Sequence, residues 1–268
     1  MKQIDGIKDN GIYLSSMQKT FADKSWFVDK LPFNVTSIVD FGCADGSFGT
    51  FLKSVCPFPF SYIGIDNNLD FFNMIKKNGG TPFVSLEALV KANVIDPDST
   101  LLVLNSVLHE IYSYADIDQF WKDVKKLNPK MIAFRDMYVG NCGRYNSSVQ
   151  RDIQNAVVGN FMERHYNDFI SYWGTLIDGY KAVHFLLKYF YDANWEREMK
   201  EYYVPYSYRE LHEKIRSIGY CIQYDEFYAL PYLISKWQKD FGCANRPALK
   251  SFLNAITTHL KLLMLRDD

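Results

Sequence analysis

The apolar positions change period several times along the chain, and each change marks an element. Ile38, Val39 and Phe41 form a short apolar run that predicts a buried strand. Gly42 and Gly46 interrupt it. From Ser47 onward, Phe48, Phe51, Leu52 and Val55 recur at i, i+3, i+4 and i+7, one face of a helix. A second run, Tyr62 to Ile65, predicts a strand ending at Asp66 and Asn67. Leu69 to Lys77 reads as a short helix closed by Asn78, Gly79 and Gly80. Thr81 to Ser85 predicts a third strand and Thr100 to Asn105 a fourth. Ile117, Phe120, Val124 and Leu127 predict an amphipathic helix stopped by Asn128 and Pro129, and Met131 to Phe134 a fifth strand. Strands alternating with helices predict an α/β fold with a parallel sheet.

The pattern then departs from simple alternation. Residues 140–205 read as two or three helices rich in Tyr, Phe and Trp. Val183, Leu186, Leu187 and Phe190 share one side there, with His184, Lys188 and Tyr191 on another. Asn194, Glu198 and Glu201 or Tyr202 share a further helical face. Ser207 with Glu210 forms a capping box for a helix whose apolar face is Leu211, Ile215 and Ile218, closed by Gly219. Tyr220 to Leu230 predicts a sixth strand. A helical connection with Trp237, Phe241 and Phe252 follows, and His259 to Arg266 predicts the last strand. Ahead of the first strand, Ile12, Leu14, Met17, Phe21, Trp26, Phe27 and Leu31 give a helical lead-in broken at Pro32. The expected organisation is a lead-in at 1–34, a core at 35–139 with 206–268, and a helical, aromatic-rich insertion at 140–205.

Strand, glycine turn, helix and second strand ending in an acid make half of a nucleotide-binding sheet. Glycine in the turn lets backbone approach a ligand, and the helix start offers amides to a polar or anionic group. Asp66 is placed to accept bonds from both hydroxyls of a ribose. Counted from Gly42, two of the three glycines of G-x-G-x-x-G are missing, which argues against a dinucleotide. The run Asp40-Phe41-Gly42-Cys43-Ala44-Asp45-Gly46 resembles motif I of the class I S-adenosylmethionine-dependent methyltransferases, with Ala44 in place of the middle glycine. The resemblance implies a Rossmann-like, seven-stranded methyltransferase sheet with flanking helices, here with a helical insertion after the fifth strand and an antiparallel last strand. It implies S-adenosyl-L-methionine as cofactor, S-adenosyl-L-homocysteine as product and methyl transfer by in-line displacement. Gly42, Cys43, Ala44 and Gly46 would wrap the methionine portion, with Asp40 near its amino group and Asp66 and Asn67 at the ribose. Asn105 and Ser106 would sit under the sulfonium.

Ligands of open α/β sheets bind outside the carboxyl ends of the strands, so polar residues there face the crevice. His109, Glu110 and Asp136 are the candidates for acid–base or orienting roles. Tyr112, Arg135 and Tyr138 are the candidates for contact with the acceptor. The 30 Lys and Arg against 31 Asp and Glu leave a formal charge of −1, which supplies no electrostatic signature for nucleic acid or an anionic membrane. The 19 Tyr and 20 Phe imply large aromatic cores or pockets. A small-molecule acceptor is therefore favoured, enclosed by an aromatic and nearly neutral insertion. RNA stacked on aromatics is the runner-up, and a catalytically silent scaffold subunit or a dehydrogenase are further alternatives. The five cysteines, at 43, 56, 142, 221 and 243, contain no Cys-x-x-Cys pair. They suggest neither a disulfide framework nor a metal site, but reduced thiols. With no leader and no run of about 18 apolar residues, a cytoplasmic protein without membrane association is expected.

Overall fold

A computed structural model of the chain describes residues 18, 20–32, 34–140, 142–203 and 206–267. Ile12, Leu14 and Met17 of the expected lead-in lie outside the described residues. Among the described residues seven strands are present: β1 (Ser37–Phe41), β2 (Ser61–Ile65), β3 (Thr81–Phe83), β4 (Thr100–Asn105), β5 (Met131–Met137), β6 (Tyr220–Tyr228) and β7 (His259–Arg266). They form one sheet in the order β3-β2-β1-β4-β5-β7-β6. β1 pairs in parallel with β2 and β4, β2 with β3, and β4 with β5. The Arg266 amide donates to the Lys130 carbonyl and the Tyr138 amide to the Thr258 carbonyl, so β7 runs against β5. This is an α/β sheet with one reversed strand: the sequence pattern predicted the α/β alternation, and the resemblance implied the reversed last strand. β4 is buried at all six positions, as a central parallel strand covered on both faces must be.

Among the described residues, α1 (Phe21–Lys24) precedes β1, and α2 (Ser47–Val55), α3 (Phe72–Lys77), α4 (Leu86–Ala92) and α5 (Leu108–Tyr114) follow the strands of the first half. Next come α6 (Ile117–Leu127), α7 (Ser147–Val157), α8 (Met162–Trp173), α9 (Gly179–Lys188) and α10 (Trp195–Lys200). The last are α11 (Tyr208–Ser217), α12 (Pro231–Asp240) and α13 (Pro247–Ala255). α11 opens on the expected reciprocal cap between Ser207 and Glu210. No helix among the described residues is long and apolar enough to cross a membrane.

The chain divides into two compact units. The first is Met1–Asp136 with Pro205–Asp225 and Lys261–Asp268, and the second is Met137–Val204 with Glu226–Leu260. In the first, Phe21, Phe48 and Leu52 pack with Ile38, Leu101 and Val103 of the central strands. Phe21 alone reaches two rings of α2, with centroids 5.2 Å from Phe48 and 5.6 Å from Phe51. That contact seats α1 despite its four residues, which are too few to hold a helix by propensity.

The second unit has its own core, in which Phe169, Phe185, Trp237 and Phe241 are fully buried. The aromatic residues of 140–205 are largely spent there, beside α12 and α13, which the sequence pattern had grouped with the sheet. Past its first turn α9 is buried on all sides: His184 and Lys188 are buried along with Val183, Leu186 and Leu187. The Lys188 ammonium is held by the carbonyls of Glu198 and Glu201 and lies 3.8 Å from the Tyr203 ring centroid. Burial still lowers it to about 8.

In the first unit, α2 and β2 touch without room for a methyl group. A Cβ at Gly49 would stand 2.5 Å from the Tyr62 ring. Gly49→Ala should therefore cost about 1–3 kcal/mol by overpacking, measurable as a shift of the urea midpoint. A neutral effect would contradict this packing.

Candidate cofactor site

The turn between β1 and α2 is built from left-handed backbone. Gly42, Ala44 and Gly46 have φ of 75°, 48° and 75°. Glycine adopts this freely, but Ala44 does so against a steric cost of about 1 kcal/mol, so something must hold it. Its amide donates to Asp66 Oδ2 at 2.9 Å, while the Asn68 amide donates to Asp66 Oδ1 at 2.9 Å. One carboxylate thus ties the turn after β1 to the turn after β2. The amides of Gly42 and Cys43 add bonds to the Ile65 carbonyl at 2.8 and 3.1 Å. Gly64 of β2 leaves the space that Cys43 fills, since a Cβ there would meet Cys43 Sγ at 2.6 Å.

The helix start after the turn differs from expectation. Asp45 Oδ1 accepts from the Ser47 amide at 3.0 Å and the Ser47 hydroxyl at 2.7 Å. A carboxylate already occupies the position where an anion would meet the first amide of α2. This argues against pyrophosphate at that helix end and for a ligand whose polar groups meet Asp66 instead.

Asp40 and Asp66 are both buried acids. Burial pushes each up to about 6. The Tyr62 hydroxyl, donating to Asp40 Oδ2 at 2.6 Å, and the charge of Lys24 oppose the shift at Asp40. The amides of Asn68 and Ala44 oppose it at Asp66. Each Asp66 oxygen accepts one backbone bond and keeps capacity for another. Two nearby polar atoms are buried with no partner among the described residues: Asn67 Nδ2, beside Asp66, and Asn105 Oδ1, at the end of β4. Buried orphans of this kind call for a ligand or water. A glycine cradle, a clamped acid and two unsatisfied atoms at three strand ends fit a ribose-bearing ligand with a polar tail, so these residues suit S-adenosylmethionine.

At the ends of β4 and β5, Asp136 organises the start of α5. Its Oδ2 accepts from the amides of Leu108 and His109 at 2.8 and 3.3 Å, and its Oδ1 lies 2.7 Å from His109 Nδ1. His109 and Asp136 are both buried, Glu110 is partly exposed and Tyr112 exposed. The Tyr112 ring faces Tyr206 at 6.1 Å. Ser106, with φ 56°, donates its amide to the Arg135 carbonyl at 2.7 Å. Arg135 is engaged rather than open: its Nε donates to Asp23 Oδ2 at 2.9 Å and one terminal nitrogen to Ser106 Oγ at 2.6 Å. Tyr138 belongs to the second unit, where it is buried against Phe227 at 5.7 Å.

Sequence reasoning missed Asp23, Lys24 and Tyr62. Asp23 pairs with Arg135 and Lys261 at 2.7 and 3.2 Å. The Lys24 carbonyl accepts from Asn105 Nδ2 at 3.5 Å. An acid and a base flanking an apolar stripe would ordinarily face water, so no periodic signal marks these two. Among the described residues, no cluster of His, Cys, Asp or Glu is arranged to hold a metal.

The raised acids set a pH dependence. Folded, Asp40 and Asp66 keep their protons to about 6, whereas unfolded carboxyls release theirs near pH ~4. Between those values the native state binds more protons, so stability falls as pH rises from about 4 to about 6. Asp40→Asn, which keeps an acceptor for Tyr62, should flatten that fall in melting temperatures recorded across the window. An unchanged slope would contradict the assignment.

No protein-family model matches the chain, and no curated protein matches its sequence. Solved structures do match its fold. One is an S-adenosylmethionine-dependent methyltransferase from Archaeoglobus fulgidus, with TM-score 0.50 and 10% identity over 96% of this chain and 100% of that one. Another comes from the complex between the Haloferax volcanii Trm112 methyltransferase activator and a putative methyltransferase. There the TM-score is 0.51 and the identity 9%, over 98% of this chain and 100% of that one. The chain has the fold of the class I S-adenosylmethionine-dependent methyltransferases.

Proposed function

We propose that the first unit binds S-adenosylmethionine at the carboxyl ends of β1, β2 and β4 and transfers its methyl group to a small-molecule acceptor. The observation behind this reading is the Asp66 clamp, with the orphaned Asn67 Nδ2 next to it and the orphaned Asn105 Oδ1 at the end of β4. Gly42, Cys43, Ala44 and Gly46 would hold the amino-acid end, with Asp40 at its amino group and Asp66 and Asn67 at the ribose. Asn105 and Ser106 would line the reacting centre. Bound there, the cofactor supplies a methyl group already activated by its positive sulfonium.

The protein's part is then alignment, exclusion of water and, for an acceptor that must lose a proton, a base. His109 is our candidate for that base. With Asp136 accepting at Oδ1, the proton belongs on Nδ1 and the lone pair on Nε2, so Asp136 acts as the positioning residue. Glu110, at the next position of α5 and partly exposed, is the second candidate. Arg135 serves in this reading by fixing Ser106, and Tyr112 is retained as a candidate acceptor contact. The near-balance of 30 basic against 31 acidic residues supports a small acceptor, because nucleic-acid affinity rests on excess positive charge. The position of Asp45 at the start of α2 weighs against a nicotinamide dinucleotide.

Calorimetric titration with S-adenosylmethionine and S-adenosylhomocysteine tests the reading. Both should bind, and Asp66→Ala should weaken them on the order of 100-fold, the loss of two charge-assisted bonds. No binding by the wild type would refute the proposal. With an acceptor in hand, His109→Gln should lower kcat by about 10²–10⁴ while leaving S-adenosylhomocysteine affinity unchanged.

One feature favours RNA as a second reading. Lys122, Lys125 and Lys214 line a cleft of about 290 Å³ together with Trp121, Ile218 and Asp118, which pairs with Lys214. RNA binding there should weaken steeply between about 50 and 200 mM salt, and a flat salt response would exclude it.

A further inference from the structure

Asn78, Gly79 and Gly80 end α3 as their sequence predicts, and Asn78 then reaches beyond that helix. Its amide closes the last turn on the Met74 carbonyl at 2.9 Å, and the Gly80 amide bonds back to the Ile75 carbonyl at 2.9 Å. Backbone alone does that work, so the side chain is left to serve another element. Asn78 Nδ2 donates to the Asp45 carbonyl at 2.9 Å, 33 positions away and inside the glycine turn. α2 grips the same end of α3. Thr50 Oγ1 donates to the Asn78 carbonyl at 3.3 Å and Lys53 Nζ to the Gly79 carbonyl at 2.7 Å. Gly46 is packed against α3 as well, since a Cβ there would meet Ile75 Cα at 3.2 Å.

The bond to Asp45 matters because of the peptide it fixes. The first part of the turn is secured by β2 and its end: the Ile65 carbonyl accepts from the amides of Gly42 and Cys43, and Asp66 from that of Ala44. None of these bonds reaches the peptide between Asp45 and Gly46, and the Asp45 carboxylate is engaged by Ser47. At one end of this peptide the Gly46 N–H donates to the Cys43 carbonyl at 3.0 Å. At the other, the Asp45 carbonyl is the group that Asn78 binds. Held at both ends, the peptide cannot turn over. Gly46, at φ 75°, would otherwise make a flip easy, because glycine accepts either hand. A flip would point the carbonyl away from α3 and break the Gly46–Cys43 bond that closes the turn. A ligand would then have to supply the ordering free energy itself.

We infer that Asn78 is a positioning residue for the cofactor: without touching it, Asn78 keeps the Asp45–Gly46 peptide in the orientation that receives the amino-acid end. This rests on the cofactor reading above and extends the site to the end of a helix that carries none of the residues placed there. The role demands a donor. Aspartate, of the same size, would set a carboxylate against the Asp45 carbonyl oxygen, whereas glutamine keeps the donor on a longer arm.

Calorimetric titration with S-adenosylhomocysteine and with methylthioadenosine, which keeps the base and ribose and lacks the amino-acid end, separates this role from packing. Asn78→Asp should weaken S-adenosylhomocysteine about 10-fold, the range for one hydrogen bond lost and replaced by repulsion. Its affinity for methylthioadenosine should match the wild type's. Asn78→Gln should retain more S-adenosylhomocysteine affinity than Asn78→Asp, although aspartate is the closer match in shape; packing alone predicts the reverse order. If the aspartate variant does not fold, Asn78→Leu, similar in shape and without a donor, makes the same comparison. An Asn78→Asp protein that binds S-adenosylhomocysteine as the wild type does overturns the inference, as does one that loses both compounds in parallel. A wild type that binds neither compound refutes the cofactor reading, and this inference with it.

Discussion

Two bonds from one carboxylate fix the geometry on which the rest of the site depends. Asp66 receives the Ala44 amide from the turn after β1 and the Asn68 amide from the turn after β2. Without the first, Ala44 has no reason to stay in a left-handed conformation that costs it energy. With it, the glycine turn is pre-formed, and a ligand need not provide the ordering free energy. Burial raises the same acid to about 6, so at neutral pH it is mostly a carboxylate whose residual acceptor capacity suits hydroxyl donors.

A second layer of order comes from α1. Four residues cannot hold a helix in isolation, so the segment is positioned by what it touches. Phe21 is buried on α2, Asp23 is bound by Arg135 and Lys261, and the Lys24 carbonyl meets Asn105. Arg135 is drawn into this network and away from any role as a free anion receptor. The polar ends of β4 and β5 are thereby divided. Ser106, Arg135 and Asp23 form a structural knot, while His109 and Asp136 form a separate buried pair whose geometry suits proton transfer.

Much of this was legible in the sequence because its cause is local. The period-2 and period-3.6 runs, the turn at Gly42 and Gly46 and the cap at Ser207 each involve residues within a few positions, and each matches the structure. Asp40 and Asp66 could be placed because strand ends in a parallel sheet converge on one crevice. What stayed hidden depends on distant partners. Asp23 meets Arg135 across 112 positions, and no spacing rule announces it. Periodicity set Lys188 on a different side from Val183 and Leu187, and its burial stayed hidden because its enclosing carbonyls, on Glu198 and Glu201, belong to backbone that periodicity does not weigh. The anion-receptive start of α2 was misread for a local reason, since Asp45 sits where it can cap Ser47 itself.

The central claim is that the strand ends around Asp66 receive the adenosyl cofactor. Amide hydrogen exchange with and without saturating S-adenosylhomocysteine addresses it residue by residue. The account predicts slowed exchange at residues 42–46, 66–68 and 105–109, with the second unit's own core, around Phe169 and Phe185, unchanged. No slowing in those three segments, or slowing confined to other segments, would contradict it.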